Sequence, residues 1–157
     1  AKACVIDGIN VSSTVVRNFL ISGQIEMANK CLGYKYYLDG TVVDGYKVGR
    51  TIGFPTANLR VDDPDKLVPA DGVYAVWVTV EGEDYMGMLD VGHRPTFNNG
   101  GNKSIEVHIL DFSSDIYERF IRISFVKWIR KDIKLPNVEE LVAQLEQDRE
   151  EVRRILQ

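Results

Sequence analysis

The segment VYAVWVTV-EGED-YMGMLDV, Val73 to Val91, carries the clearest structural signal in the chain. Apart from Ala75, its first eight residues are β-branched or aromatic, the types that favour a strand. The polar, glycine-containing run Glu81 to Asp84 is typical of a hairpin turn, and Tyr85 to Val91 forms the returning strand. This segment therefore predicts an antiparallel hairpin.

Four more β-prone segments flank this hairpin, separated by turn-forming residues. They are Tyr36 to Val43, Phe54 to Leu59, Ser104 to Leu110 and Phe120 to Trp128. Short strands at regular spacing are typical of antiparallel barrels and sandwiches. The sequence predicts a mainly β domain of six strands, and the pattern leaves barrel and sandwich open.

Helical patterns occur towards the two ends of the chain. Asn137 is suited to cap a C-terminal helix, with Glu140 three residues later. One apolar face of this helix collects Val138, Leu141, Val142, Leu145, Val152, Ile155 and Leu156. Residues 11–32 predict one or two short helices, interrupted at Gly23 and closed at Gly33, as an appendage to the β domain.

Composition narrows the class of protein. The chain has 157 residues, 45% of them hydrophobic, and a net charge of −4. This charge argues against nucleic-acid binding, so we expect small-molecule partners. No apolar run is long enough for a membrane span, and the N-terminus lacks a signal-peptide pattern. With only Cys4 and Cys31 as thiols, a reducing, cytoplasmic setting is expected.

The densest chemical signal is the segment DGYKVGRTIGFPTANL, Asp44 to Leu59. Gly45, Gly49 and Gly53 provide a loop whose backbone N–H groups can turn towards an anion. The spacing matches neither a Walker A loop nor a dinucleotide fingerprint. Three glycines in a loop are by themselves more often ordinary turn residues, and that alternative stays open.

Thr56 and Asn58 are candidate metal ligands within the same segment. In a strand that starts near Pro55 they point to the same side and offer a hydroxyl and an amide oxygen. Mg²⁺ takes such oxygen ligands together with substrate phosphates. The alternative is a pair of polar side chains on the wet face of a strand.

Several ordered segments resemble riboflavin kinases. GRTIGFPTANL matches the glycine-rich loop and Pro-Thr-Ala-Asn signature of that family. GMLDVGHRPTF, SIEVHILDF, DIYERFIRISFVKWIRK and VEELVAQLEQD then follow in the family's order. The resemblance covers about residues 34–157. It implies a six-stranded antiparallel Greek-key-like barrel that uses ATP and Mg²⁺ to phosphorylate riboflavin to FMN.

The resemblance also implies roles for individual residues. Glu106 corresponds to the catalytic base, and Thr56 and Asn58 to the ligands of Mg²⁺ and ATP. Further nucleotide contacts fall on Gly45, Gly49, Arg50 and Tyr117, and flavin contacts on Asn99, Ser104, Trp128 and Arg130. His93 and His108 are assigned no chemistry. The sequence departs from the family pattern at three places: Asp90, Glu118-Arg119 and KDIKLPN. These departures concern the contacts to the base of the nucleotide and to the flavin.

The first 33 residues resemble the end of an adenylyltransferase domain and its linker in bacterial bifunctional FAD synthetases. The expected division is therefore residues 1–33 as a remnant of that domain and 34–157 as the kinase. The chain is expected to be natively fused to the rest of the adenylyltransferase and not to make FAD by itself. Two alternatives stay open: a non-catalytic flavin- or nucleotide-binding barrel, and an interaction module that docks through its C-terminal helix.

Overall fold

The computed structural model describes residues 4–6, 9–11, 13–44, 53–93 and 103–157. A small antiparallel hairpin of β1 (Cys4–Ile6) and β2 (Ile9–Val11) precedes two helices, α1 (Ser13–Ile21) and α2 (Ile25–Leu32). The barrel strands are β3 (Tyr37–Asp44), β4 (Ala57–Val61), β5 (Gly72–Val80), β6 (Glu83–His93), β7 (Lys103–Ile109) and β8 (Phe120–Arg130). Helix α3 (Val138–Leu156) ends the chain.

The six strands β3 to β8 close into an antiparallel barrel in the order β3-β4-β7-β6-β5-β8. β4 pairs with β7 and not with β5, its successor along the chain, which gives the Greek-key-like crossing. Closure removes the exposed strand edges that an open sheet would have. The predicted mainly β barrel is thus confirmed, and the sandwich is excluded.

The predicted β5–β6 hairpin forms, with a shorter turn than the predicted Glu81 to Asp84. Val80 pairs with Glu83, so only two residues form the turn between the strands. Both have positive φ, 50° at Glu81 and 84° at Gly82, as in the tight turns that match the strand twist. β6 and β8 are longer than predicted, whereas β4 begins at Ala57 instead of Phe54.

The inside of the barrel is filled by alternate side chains of every strand. They include Leu38, Val42, Leu59, Tyr74, Val76, Leu89, Val107, Ile121, Ile123 and Phe125. Because successive side chains of a strand point to opposite faces, the intervening residues lie on the outer surface of the barrel. A filled barrel interior leaves the outer surface for polar chemistry.

Helix α3 covers part of that outer surface. Its Val152 packs in a cluster with Ala75 of β5 and Met88 of β6. Asn137 caps the helix as predicted, since its Oδ1 accepts a hydrogen bond of 2.9 Å from the Glu140 N–H. Val138 was expected on the packed face but is 56% exposed.

Helices α1 and α2 pack against the barrel. Leu20 and Ala28 are buried in the same core as the barrel interior. Asn29 of α2 donates from Nδ2 to the Phe125 carbonyl at 2.9 Å and accepts at Oδ1 from the Tyr36 N–H at 2.8 Å. The N-terminal helices are therefore held against the barrel by both apolar and polar contacts.

The extreme N-terminal part departs from the predicted helix. The pattern predicts helical structure from residue 11, whereas Val11 belongs to β2 and α1 begins at Ser13. The sequence Asp7-Gly8, a dipeptide typical of tight hairpins, stands between the two strands and was not used as a signal. Gly23 and Gly33 do separate and end the helices, both with positive φ. Within the described residues, no helix combines the length and apolar character that crossing a membrane requires.

Candidate active site

Three polar residues form a row across neighbouring strands on the outer surface of the barrel. Asn58 of β4 is the Cα partner of Glu106 of β7, and Glu106 is in turn the partner of Asp90 of β6. Directly opposed residues place their side chains on the same face. Their strand neighbours, such as Ala57 and Val107, point into the core, which fixes this row on the outside. The fold thus brings together two residues that the sequence analysis selected from separate segments.

Asn58 carries an unused hydrogen-bond acceptor in this row. Its Oδ1 is buried and has no hydrogen-bond partner within the described part of the chain. An amide oxygen left without a donor is costly unless something else binds it. Oxygen is also the ligand type that Mg²⁺ prefers. The amide of Asn58 therefore fits a cation ligand, as the sequence predicts.

Thr56 lies one residue before β4 begins. It is half-buried, but it is not part of the strand ladder that holds Asn58 opposite Glu106. The strand predicted to start near Pro55 therefore contains Asn58 but not Thr56. Among the described residues, no group of three or more His, Cys, Asp or Glu side chains is arranged to hold a metal ion. A cation here would depend on the neutral ligands Thr56 and Asn58 and on oxygens of the nucleotide.

The electrostatics of the row centre on Asp90. The pKa of Asp90 is raised from 3.8 to about 7, first by burial and then by the neighbouring carboxyl groups of Asp132 and Glu106. Asp132 contributes both its charge and a side-chain hydrogen bond, whereas the Arg130 guanidinium opposes the rise. Asp90 was noted in the sequence only as a departure from the family pattern. The structure makes it part of a carboxyl cluster beside the predicted base.

Ser104 is placed close to this cluster. It is the partner of Gly92, two residues beyond Asp90 on β6. A Cβ atom at Gly92 would stand 2.6 Å from Asp132 Oδ2 and 3.3 Å from Ser104 Oγ. Ser104 Oγ and Asp132 Oδ2 therefore both lie close to the Cα position of Gly92. A flavin role for Ser104 stays a prediction, now with a defined position next to Asp132.

Arg130 is bound to helix α3. Its Nε and Nη2 donate to the Asp148 carboxylate at 2.7–3.1 Å, and Asp148 is 2% exposed. Gln144 adds a further hydrogen bond to Asp148 at 2.9 Å. This double interaction holds the guanidinium beside Asp90. A direct flavin contact by Arg130 stays a prediction, and the observed partner of its Nε and Nη2 groups is Asp148 of α3.

Trp128 lies apart from the row. Its Nε1 donates to the Asp71 carbonyl at 3.2 Å, and its ring packs against the core and beside Gly23. A β-bulge between β5 and β8 separates it from Arg130, because Tyr74 pairs with Trp128 and Val73 with Arg130. The observed contacts of Trp128 are with the core and with the Asp71 backbone, and its flavin contact stays a prediction.

Tyr117 is exposed on the connection between β7 and β8. The next residue, Glu118, donates its N–H to the Val42 carbonyl at 2.8 Å, so this connection runs beside the end of β3. β3 leads into residues 45–52. Gly45, Gly49 and Arg50 in that segment, and Asn99 in residues 94–102, lie outside the described residues. Their predicted roles are therefore not tested.

Comparison with protein families identifies the family of this chain. The family model described as Flavokinase: Riboflavin kinase matches residues 32–156. The chain belongs to the riboflavin kinase family. This match confirms the family and the kinase class expected from the ordered motifs.

Individual relatives of the chain agree with this family assignment. It is 47% identical over 143 residues to the bifunctional riboflavin kinase/FMN adenylyltransferase of Listeria monocytogenes, covering 91% of the chain and 45% of that protein. A Streptococcus pneumoniae structure titled macrolide-efflux protein superposes with a TM-score of 0.90 at 38% identity, covering 98% of this chain and 50% of that one. Riboflavin kinase from Trypanosoma brucei superposes with a TM-score of 0.54 at 25% identity, covering 76% and 78%. The chain spans about half the length of the curated relatives it matches.

Two residues near the row were given no role in the sequence analysis. His108 shares a face with Glu106 and contacts the segment that carries Thr56, although the sequence analysis assigned it no chemistry. The Glu-x-His spacing is a signal that could have drawn attention to it. Asp132 lies in KDIKLPN, where no local pattern points to Asp90. Only the folded barrel reveals that contact.

Proposed function

We propose that this domain transfers the γ-phosphate of ATP to the terminal ribityl hydroxyl of riboflavin, giving FMN and ADP, with Glu106 as general base. The observation that carries the proposal is the pairing of Glu106 with Asn58, whose buried Oδ1 has no partner within the described residues. A carboxylate next to a free oxygen ligand is the arrangement that a phosphoryl-transfer site needs. The family match supports this reaction.

In the proposed step, Glu106 accepts the proton of the ribityl hydroxyl as its oxygen attacks the γ-phosphorus. The new oxygen–phosphorus bond forms while the bond between the γ-phosphorus and the ADP oxygen breaks. Thr56 and Asn58 would hold Mg²⁺, which, when bound, neutralises charge on the β- and γ-phosphates. Glu106 sits in a strand paired on both sides, so the base is presented by a rigid part of the barrel.

Product formation by the parent chain and Glu106→Gln tests the proposal. FMN formed from riboflavin, ATP and Mg²⁺ is measured by chromatography. We expect Glu106→Gln to lose about 10²- to 10⁴-fold in kcat, the usual contribution of a general base, with Mg·ADP affinity within threefold of the parent. Glu139→Gln, an identical change on the exposed first turn of α3, should keep full activity.

The two outcomes separate the alternatives. A parent chain that binds riboflavin and Mg·ADP but forms no FMN would be a binding barrel. If Glu106→Gln retains full turnover, the kinase assignment survives and Glu106 is not the base. The relatives' second activity, FMN adenylyl transfer, is not proposed for this chain.

A further inference from the structure

We infer that His108 is a positioning residue that fixes Thr56, and with it the cation and nucleotide oxygens, relative to Glu106. The inference rests on the proposed function and concerns a histidine outside the row. His108 follows Glu106 by two residues on β7, so both side chains lie on the same outer face of the barrel. It thus stands one step along the strand from the proposed base.

The contact that carries the inference is a hydrogen bond to the backbone before Thr56. His108 Nδ1 lies 2.8 Å from the Pro55 carbonyl oxygen. Burial lowers the pKa of His108, and the nearby Arg149 charge also disfavours its protonation. The imidazole is therefore neutral at pH 7. Since a carbonyl oxygen can only accept, the proton must reside on Nδ1.

This hydrogen bond replaces a missing part of the strand ladder. β4 and β7 pair through Ala57 with Val107 and Asn58 with Glu106. Continuing that register by one residue sets Thr56 opposite His108, but no backbone pair forms there, because β4 starts at Ala57. The side chain of His108 reaches across instead and holds the preceding peptide. Pro55, which has no N–H of its own, contributes only this carbonyl.

A second group of contacts holds the same segment from the side of α3. The Phe54 ring is 4% exposed and lies 5.1 Å from the His108 ring, at an interplanar angle of 57°. The Arg149 guanidinium of α3 stands over the Phe54 ring, 4.9 Å from the ring centroid. Phe54 also packs in the cluster that contains Val152. The two residues that precede Thr56 are therefore held in place by contacts with both β7 and α3.

A displacement of about 1 Å at a group that binds the reacting phosphates is enough to cost about 10²-fold in rate. Glu106 and Asn58 are secured by the strand ladder, whereas the described ladder does not include Thr56. Loss of the His108 contact should therefore weaken binding at Thr56 selectively. It should leave riboflavin affinity unchanged, since Ser104, the flavin candidate on β7, lies near the opposite end of that strand.

Two substitutions at position 108 separate positioning from bulk stability. His108→Leu keeps apolar volume but removes the donor, whereas His108→Asn retains an N–H donor close to the position of Nδ1. We expect His108→Leu to raise the KM for Mg·ATP at least tenfold with less than a twofold change in the KM for riboflavin. His108→Asn should restore the KM for Mg·ATP to within threefold of the parent. Equal KM values for Mg·ATP in the parent and His108→Leu would overturn the inference, as would equal losses in both variants.

Binding without turnover provides the second measurement. Calorimetry of Mg·ADP with the same variants should show the same order of affinity: parent, His108→Asn, then His108→Leu. This order is measurable even if no FMN forms, so a failure of the proposed kinase activity is distinguishable from a failure of the positioning role. If His108→Leu does not fold, Arg149→Met tests the α3 contact, with an expected two- to threefold loss of Mg·ADP affinity. Unchanged Mg·ADP affinity in Arg149→Met would then count against the role of the α3 contact in positioning Thr56.

Discussion

Replacing Asp90 by asparagine should stabilise this protein at neutral pH. Asp90 binds its proton more tightly in the folded chain than in the unfolded one, because its pKa rises from 3.8 to about 7. Between about pH 4 and pH 7 the folded state therefore holds more protons than the unfolded state. Its stability consequently falls as the pH rises through this range. Asp90→Asn removes that loss.

The size of the effect follows from the same shift. A rise from 3.8 to about 7 corresponds to about 4 kcal/mol, at about 1.4 kcal/mol for each pH unit. Asp90 keeps partial access to solvent, and asparagine must still satisfy its own amide. We therefore expect a gain of about 2 kcal/mol at pH 7.5. Below pH 4 the gain should vanish, since Asp90 is then protonated in both states.

Urea unfolding of the parent and Asp90→Asn at pH 4, 5.5 and 7.5 measures this gain. Asp65→Asn makes the same change of charge on the exposed connection between β4 and β5 and serves as the control. If Asp90→Asn is no more stable than the parent at pH 7.5, the carboxyl cluster does not have the electrostatics described here. A gain that stays constant with pH would refute the linkage argument.

Two further substitutions test how the barrel is held together. Asp148→Ala leaves the Arg130 guanidinium without its buried partner and should lower the free energy of unfolding by about 3–5 kcal/mol. The double variant Asp148→Leu with Arg130→Met should lower it less, because neither charge is then left unpaired. Gly72→Ala places a Cβ atom 2.1 Å from Trp128 Nε1 at a φ of 147°, so we expect a loss of at least about 2 kcal/mol in chemical denaturation. Gly82→Ala, where no atom lies within 4 Å, should lose less, and equal losses at the two glycines would contradict the packing argument.

Much of the secondary structure could be predicted from the sequence because its causes are local. β-branched and aromatic residues define β5, a two-residue turn with Gly82 defines the hairpin, and Asn137 defines the start of α3. Glu106 was selected through its family motif and Asn58 through its oxygen chemistry. The strands β1 and β2 were not predicted, because strands of three residues leave too short a pattern to detect.

The sequence alone indicated the barrel strands and the helices, and it supplied the carboxylate and amide side chains that we propose for phosphoryl transfer. The tertiary structure decided which of them meet. Pairing of β4 with β7 across an intervening part of the chain sets Asn58 beside Glu106. Barrel closure, together with the return of the chain after β8, brings Asp132 to Asp90. These contacts depend on long-range register and loop closure, which local propensity does not encode.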